Sequence, residues 1–222
     1  MRRSRGIILG IGAAIAAVAG MAQAVDPADW TAADIVWLGE QHDNPAHHDR
    51  QAALVAALDP AALVFEMLTP AQAARVTPEM IADADAMEAA LGWEASGWPD
   101  FDMYHPIFAS APDAAIYGAA IPRDEARRVM DEGIEVVFDG DAARYGLVDP
   151  LPGDQQSARE ALQMAAHCDA LPETMLPMMV DIQRLRDAAI ARAALAALDE
   201  AGAPVVVITG NGHARTDWGA PA

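Results

Sequence analysis

Short β-branched apolar runs alternate with longer Ala- and Leu-rich stretches along most of this chain, which confines it to β-α-β units over a mainly parallel sheet. Residues 35–38, 62–65, 114–120 and 205–209 read as strands. The second and last of these runs are apolar almost throughout, as buried strands are. Helices are expected over residues 47–58, where Leu54, Val55 and Leu58 fall at helical spacing and Pro60 follows, and over 70–76 and 78–91, each opened by proline. Further helices are expected over 124–132, ending at Gly133, over 156–167, and over 174–201, capped by Thr174 and closed by Gly202. Residues 92–107 carry Trp93, Trp98, Phe101 and Tyr104 in a chain only 5% aromatic, and read as an aromatic loop. Residues 140–155 read as a loop or lid. The fold expected is α/β, a mainly parallel sheet flanked by helices, in a single domain of ordinary size.

The N-terminus follows another logic. Met1-Arg2-Arg3-Ser4-Arg5 is basic, residues 6–20 are small and apolar, and Ala22-Gln23-Ala24 has the form of a signal peptidase site. Residues 1–24 are therefore expected to be a signal peptide cleaved after Ala24, leaving an exported protein with no stable membrane span. The apolar stretch is rich in Ala and Gly and falls short of the roughly 20 strongly apolar residues that a span needs. Loss of the three leader arginines takes the formal charge from −19 to −22, and no lysine is present. Such a surface repels nucleic acid and anionic lipid. Cys168 is the single cysteine, so the fold has no internal disulfide, and it is expected to be buried as a small hydrophobe.

Two strands are each followed by Gly-x-x-His: Gly39-Glu40-Gln41-His42 and Gly210-Asn211-Gly212-His213. In an open parallel sheet ligands bind beyond the carboxyl ends of the strands, where these histidines emerge. Glu66, directly after the second strand, reaches the same edge. Glycine is expected to supply the backbone freedom that turns the following side chains back into the crevice. Glu40, His42, Glu66 and His213 together suit zinc or another first-row divalent metal, or a metal-free acid-base pair. The two-residue spacing of Glu40 and His42 excludes the zinc-protease helix motif. Gln183, Arg186 and Asp187 share one helix face and could brace this site.

The order of these pieces carries a resemblance. Gly39-Glu40-Gln41-His42-Asp43-Asn44 with His48 and Gln51, Phe65-Glu66, Trp98, Tyr104-x-Pro106, Ile121-Pro122-Arg123, Gln183 with Arg186-Asp187, Gly210-Asn211-Gly212-His213-Ala214-Arg215 and Gly219-Ala220-Pro221 run over nearly all of residues 25–222. Together they resemble the ChaN-like haem-binding uptake family of the Tiki and erythromycin esterase-like superfamily. The resemblance implies a periplasmic or lipid-anchored protein of haem or iron uptake, haem as cofactor, and a homodimer around haem. It also keeps open a metal-dependent hydrolase using Glu40, His42, Glu66 and His213, as in the wider superfamily. By the same resemblance a tyrosine ligates haem iron. Tyr104, in the aromatic stretch, is the candidate, with His105 and His167 as second ligands and Tyr117 and Tyr145 as rivals. Two departures stand out. No lipoprotein cysteine follows the leader, and the chain ends one residue after Gly219-Ala220-Pro221, where a C-terminal tail is expected to be missing.

Overall fold

The computed structural model describes residue 30 and residues 32–222, so the leader read from the sequence lies outside the described residues. In chain order the elements are β1 (Ile35–Glu40), α1 (Pro45–Leu58), β2 (Ala62–Phe65), α2 (Pro70–Ala73), α3 (Pro78–Ile81), α4 (Ala84–Leu91), α5 (Phe101–Ala109) and β3 (Ala115–Gly118). They continue with α6 (Arg123–Arg127), α7 (Val129–Glu132), α8 (Ile134–Val137), α9 (Gly153–Ala166), α10 (Leu176–Ala201) and β4 (Val205–Gly210). All pairings in the four-stranded sheet are parallel, in the order β1-β4-β2-β3. The expected α/β fold is therefore the one observed.

Alternation along each strand divides the core between two helical layers. Val36, Leu38, Leu63, Phe65, Val206 and Ile208 face the side covered by α1 and α5. Ala62, Val64, Val205 and Val207 face the other side, against Ile190, Ala194 and Ala197 of α10. Phe65 of β2 stacks on Phe108 of α5 with ring centroids 4.0 Å apart. A third cluster joins α6, α7 and α8 to the first half of α10 through Val129, Ile134, Val137 and Leu185. Because α10 spans 26 residues, it serves both the sheet and this smaller cluster.

Helix starts follow ordinary capping chemistry. Asn44 accepts from the Ala46 N–H ahead of Pro45, and Thr69 with Gln72 forms a reciprocal capping box ahead of Pro70. Four local expectations are corrected. Residues 92–107 are not a loop: a 3-10 turn at Trp93–Ala95 leads into α5, where Phe101, Tyr104, Ile107 and Phe108 recur at helical spacing and are buried. Residues 124–132 form two short helices, with a break at Arg128. Thr174 lies in a 3-10 turn and does not cap α10, which starts after Met175 without a side-chain cap. Cys168 is exposed, in the turn after α9 with φ 54°, and α9 itself fully buries none of its residues.

Candidate functional site

β1 and β4 run side by side with Glu40 opposite Gly210, so the two Gly-x-x-His turns begin at one level. Each glycine makes room for the other turn. A Cβ on Gly39 would lie 2.6 Å from Asn211 Oδ1, and one on Gly210 would lie 2.9 Å from His42 Nε2. Neither glycine has positive φ, so the expectation that they free the backbone to turn is corrected: their role is close approach.

Glu40 is 1% exposed and gathers hydrogen bonds at one oxygen. His42 Nδ1–H and the Tyr104 hydroxyl each donate to Oε1 at 2.8 Å. Oε2 has no hydrogen bond among the described residues but lies 3.4 Å from His48 Nδ1, while His48 Nε2–H donates to the His42 carbonyl at 2.9 Å. Burial acts to depress the His42 pKa, yet the bond to Glu40 and the charges of Glu66 and Glu40 outweigh it, so the pKa stands above its usual value. The His42 ring is held by Glu40 on Nδ1 and meets Trp98 edge-on at 4.8 Å, while Nε2, beside Gly210, makes no hydrogen bond among the described residues.

On the neighbouring strands Glu66 Oε2 accepts from Thr209 Oγ1 and from the Gly210 N–H, both at 2.7 Å. Oε1 lies 3.6 Å from His213 Nε2. His213 donates through Nδ1–H to Asp187 of α10 at 2.6 Å. Burial would raise the Glu66 pKa, but the His213 charge and those two donors hold it below the usual carboxylate range. For His213 burial is again the largest influence and is again overcome, by Asp187 and Glu66, leaving the pKa raised.

These groups bound a cavity of about 600 Å³ lined by His42, Glu66, His213, Trp98, Arg123 and Arg186 among others. The volume is within the range of ordinary ligand sites. Of the sequence-nominated residues, His42, Glu66 and His213 share the cavity wall, and Glu40 supports His42 from below. Of Gln183, Arg186 and Asp187, the last braces the site by holding His213, while the first two line the cavity.

The three nominated haem ligands are not brought together. Tyr104 is fully buried, with its hydroxyl committed to Glu40, and burial and that carboxylate push its pKa far up, against phenolate formation. His105 Nε2–H donates to the Ile81 carbonyl at 2.8 Å, and His167 is exposed at the end of α9. Of the rivals, Tyr117 donates to Glu200 at 2.9 Å, and Tyr145 packs on Phe138 with centroids 5.2 Å apart. Among the described residues no group of three or more His, Cys, Asp or Glu side chains is arranged to hold a metal ion. Glu66 Oε2 and His213 Nδ1 serve Thr209, Gly210 and Asp187, which leaves Glu66 Oε1 and His213 Nε2, 3.6 Å apart, as the atoms of this pair turned to each other.

The sequence reading missed Thr209 as the partner of Glu66; its signal was a lone hydroxyl closing an apolar strand just before Gly210.

Against known families, residues 27–222 match the one described as haem-binding uptake, Tiki superfamily, ChaN. The chain belongs to this family. Family membership thus accords with the resemblance carried by the ordered motifs. The fold of the haem-binding uptake family is also seen in ChaN of Campylobacter jejuni, in a structure with cofacial haem binding. It is 20% identical with a TM-score of 0.66, over 88% of this chain and 77% of that one. The type III effector HopBA1 is matched at 17% identity and TM-score 0.44, over 84% of this chain and 70% of that one. No curated protein shows significant similarity. No helix among the described residues is long and apolar enough to cross a membrane.

Proposed function

We propose that this protein binds haem as part of iron uptake at the cell envelope, with the strand-end cavity as the haem site and His42 Nε2 as the iron ligand. Membership of the haem-binding uptake family over residues 27–222 carries the haem reading. The placement is supported by His42. Its Nδ1–H is fixed by buried Glu40, the carboxylate-histidine arrangement that orients an imidazole and raises its basicity toward a metal, and the residue lines the cavity beside Trp98, its other nitrogen making no hydrogen bond among the described residues. Bound haem would supply the iron, and His42 would hold it. Export through the leader and pairing of two copies around haem belong to the same proposal, the first supported by the basic, apolar and small-residue order of residues 1–24.

Hemin titration of the purified protein, followed at the Soret band, tests the reading. A saturable shift is expected, lost or displaced in His42→Ala and retained in Tyr104→Phe. No shift with the parent protein would remove the haem assignment. A band that survives His42→Ala and disappears in Tyr104→Phe would return the tyrosine to the iron. Light scattering with and without hemin tests the pairing, which fails if the mass stays that of one chain.

One observation favours a second reading, acid-base hydrolysis. Asp187, His213 and Glu66 form a buried line ending at the cavity, an orientation suited to moving a proton between His213 and a bound substrate or water. Turnover of simple aryl esters, abolished in Glu66→Gln and in His213→Gln, is expected on this reading; rates equal to buffer alone would dismiss it.

A further inference from the structure

Two guanidinium groups on the cavity wall have no part in iron ligation or proton transfer. Arg186 of α10 and Arg123 at the first turn of α6 both line it, with Gln183 one turn before Arg186 on the same helix face. Among the described residues neither arginine makes a hydrogen bond or an ion pair, whereas Arg128, Arg184, Arg192 and Arg215 each reach a carboxylate. Arg50, Arg75, Arg127 and Arg144 likewise make no side-chain hydrogen bond or ion pair among the described residues; what sets Arg123 and Arg186 apart is that two like charges share one cavity wall, and that calls for a reason.

Their surroundings supply one. Arg186 loses charge stabilisation chiefly through burial; Glu66 opposes that, and the positive charge of Arg123 adds to it, so the two arginines repel across the site. Arg123 is nonetheless positioned. Its Nη2 lies 3.0 Å from where a Cβ of Gly97 would stand, and Gly97 has φ +82°, so the backbone at 97 shelters the guanidinium where a side chain would displace it. An anion between the two would relieve their repulsion.

The facing negative group is Glu66, whose charge is engaged by Thr209, Gly210 and His213. With that carboxylate opposite, a singly charged planar anion is better accommodated than a doubly charged phosphate. A guanidinium fork matches a carboxylate with two parallel N–H···O bonds, and Gln183 can add an amide donor.

We propose that Arg123, Arg186 and Gln183 form a carboxylate-binding subsite on the cavity wall built by α6 and α10. The carboxylate has two sources, a propionate arm of a porphyrin, which rests on the haem reading, or a free small organic acid, which does not.

Binding to the full-length protein is measured for three probes: metal-free protoporphyrin IX, its dimethyl ester, and succinate. If the propionate occupies the subsite, the free acid binds about tenfold or more tightly than the ester, and Arg123→Gln or Arg186→Gln removes the difference. If a small acid occupies it, succinate binds, both substitutions weaken it about tenfold or more, and acid and ester porphyrins do not differ. The proposal is overturned if neither succinate nor the acid-ester difference depends on these arginines. Arg123 is exposed, so its variant is expected to keep the fold, and unchanged circular dichroism checks this. A normal Soret shift in both variants with no arginine dependence leaves the haem reading standing without the subsite. Arginine-dependent succinate binding with no Soret shift does the reverse.

Discussion

A Cβ on Gly210 would collide with the tip of the His42 ring, which is 36% exposed and can swing away, so the damage is expected in function and not in stability. Gly210→Ala should lower stability by under about 1 kcal/mol while abolishing the Soret shift. Gly118 is the opposite case: its Cβ would meet the backbone carbonyls of Leu68 and Thr69, which cannot step aside. Gly118→Ala is expected to cost about 1–3 kcal/mol, read from the urea midpoint, because overpacking against backbone has no cheap relief. His213 gives a pH dependence. Its folded pKa is raised above 6.5, so its contribution to stability is complete below that value and is lost as pH rises through the higher folded pKa. Denaturation midpoints at several pH values should show that decline, and His213→Gln should flatten it. The paired Gly-x-x-His runs were legible in sequence as a site marker. Why glycine stands there was not, since close approach between turns 171 residues apart depends on register and leaves no local signature.

Among elements, strands were the easiest to read, because β-branched runs bounded by turn residues have few alternatives. β2 is found at the bounds expected, while β1 and β4 extend past their apolar runs to include Glu40 and Gly210. Segment 92–107 was misread because aromatic density drew more notice than its spacing: Phe101, Tyr104 and Phe108 repeat with a helix's period. The structure places Tyr104 in α5, where its hydroxyl donates to Glu40. Tyr104→Phe should therefore cost about 1.5–3 kcal/mol, the worth of one hydrogen bond to a charged group, measured by denaturant titration. Long α10 is anchored at Ile190, which is fully buried, and Ile190→Ala should cost about 2–5 kcal/mol in the same assay. Leu162→Ala on α9, 47% exposed, should change stability by less than about 0.5 kcal/mol.

For the whole molecule, a formal charge of −19 means that the folded surface works against its own repulsion. Added monovalent salt should raise the melting temperature, since screening shortens the reach of those charges to about 10 Å at 0.1 M. A melting temperature that falls with salt would mean that local ion pairs outweigh the net field. The sheet order has a consequence in time. β1 and β2 are not paired; the strand that joins them is β4, the last of these four in chain order. Until it is delivered, the nascent chain holds Glu40, His42 and Glu66 at the ends of strands without a common neighbour, and it lacks His213 as well. A polypeptide still on the ribosome can thus not close its sheet, or assemble the cavity at its edge, before β4 emerges.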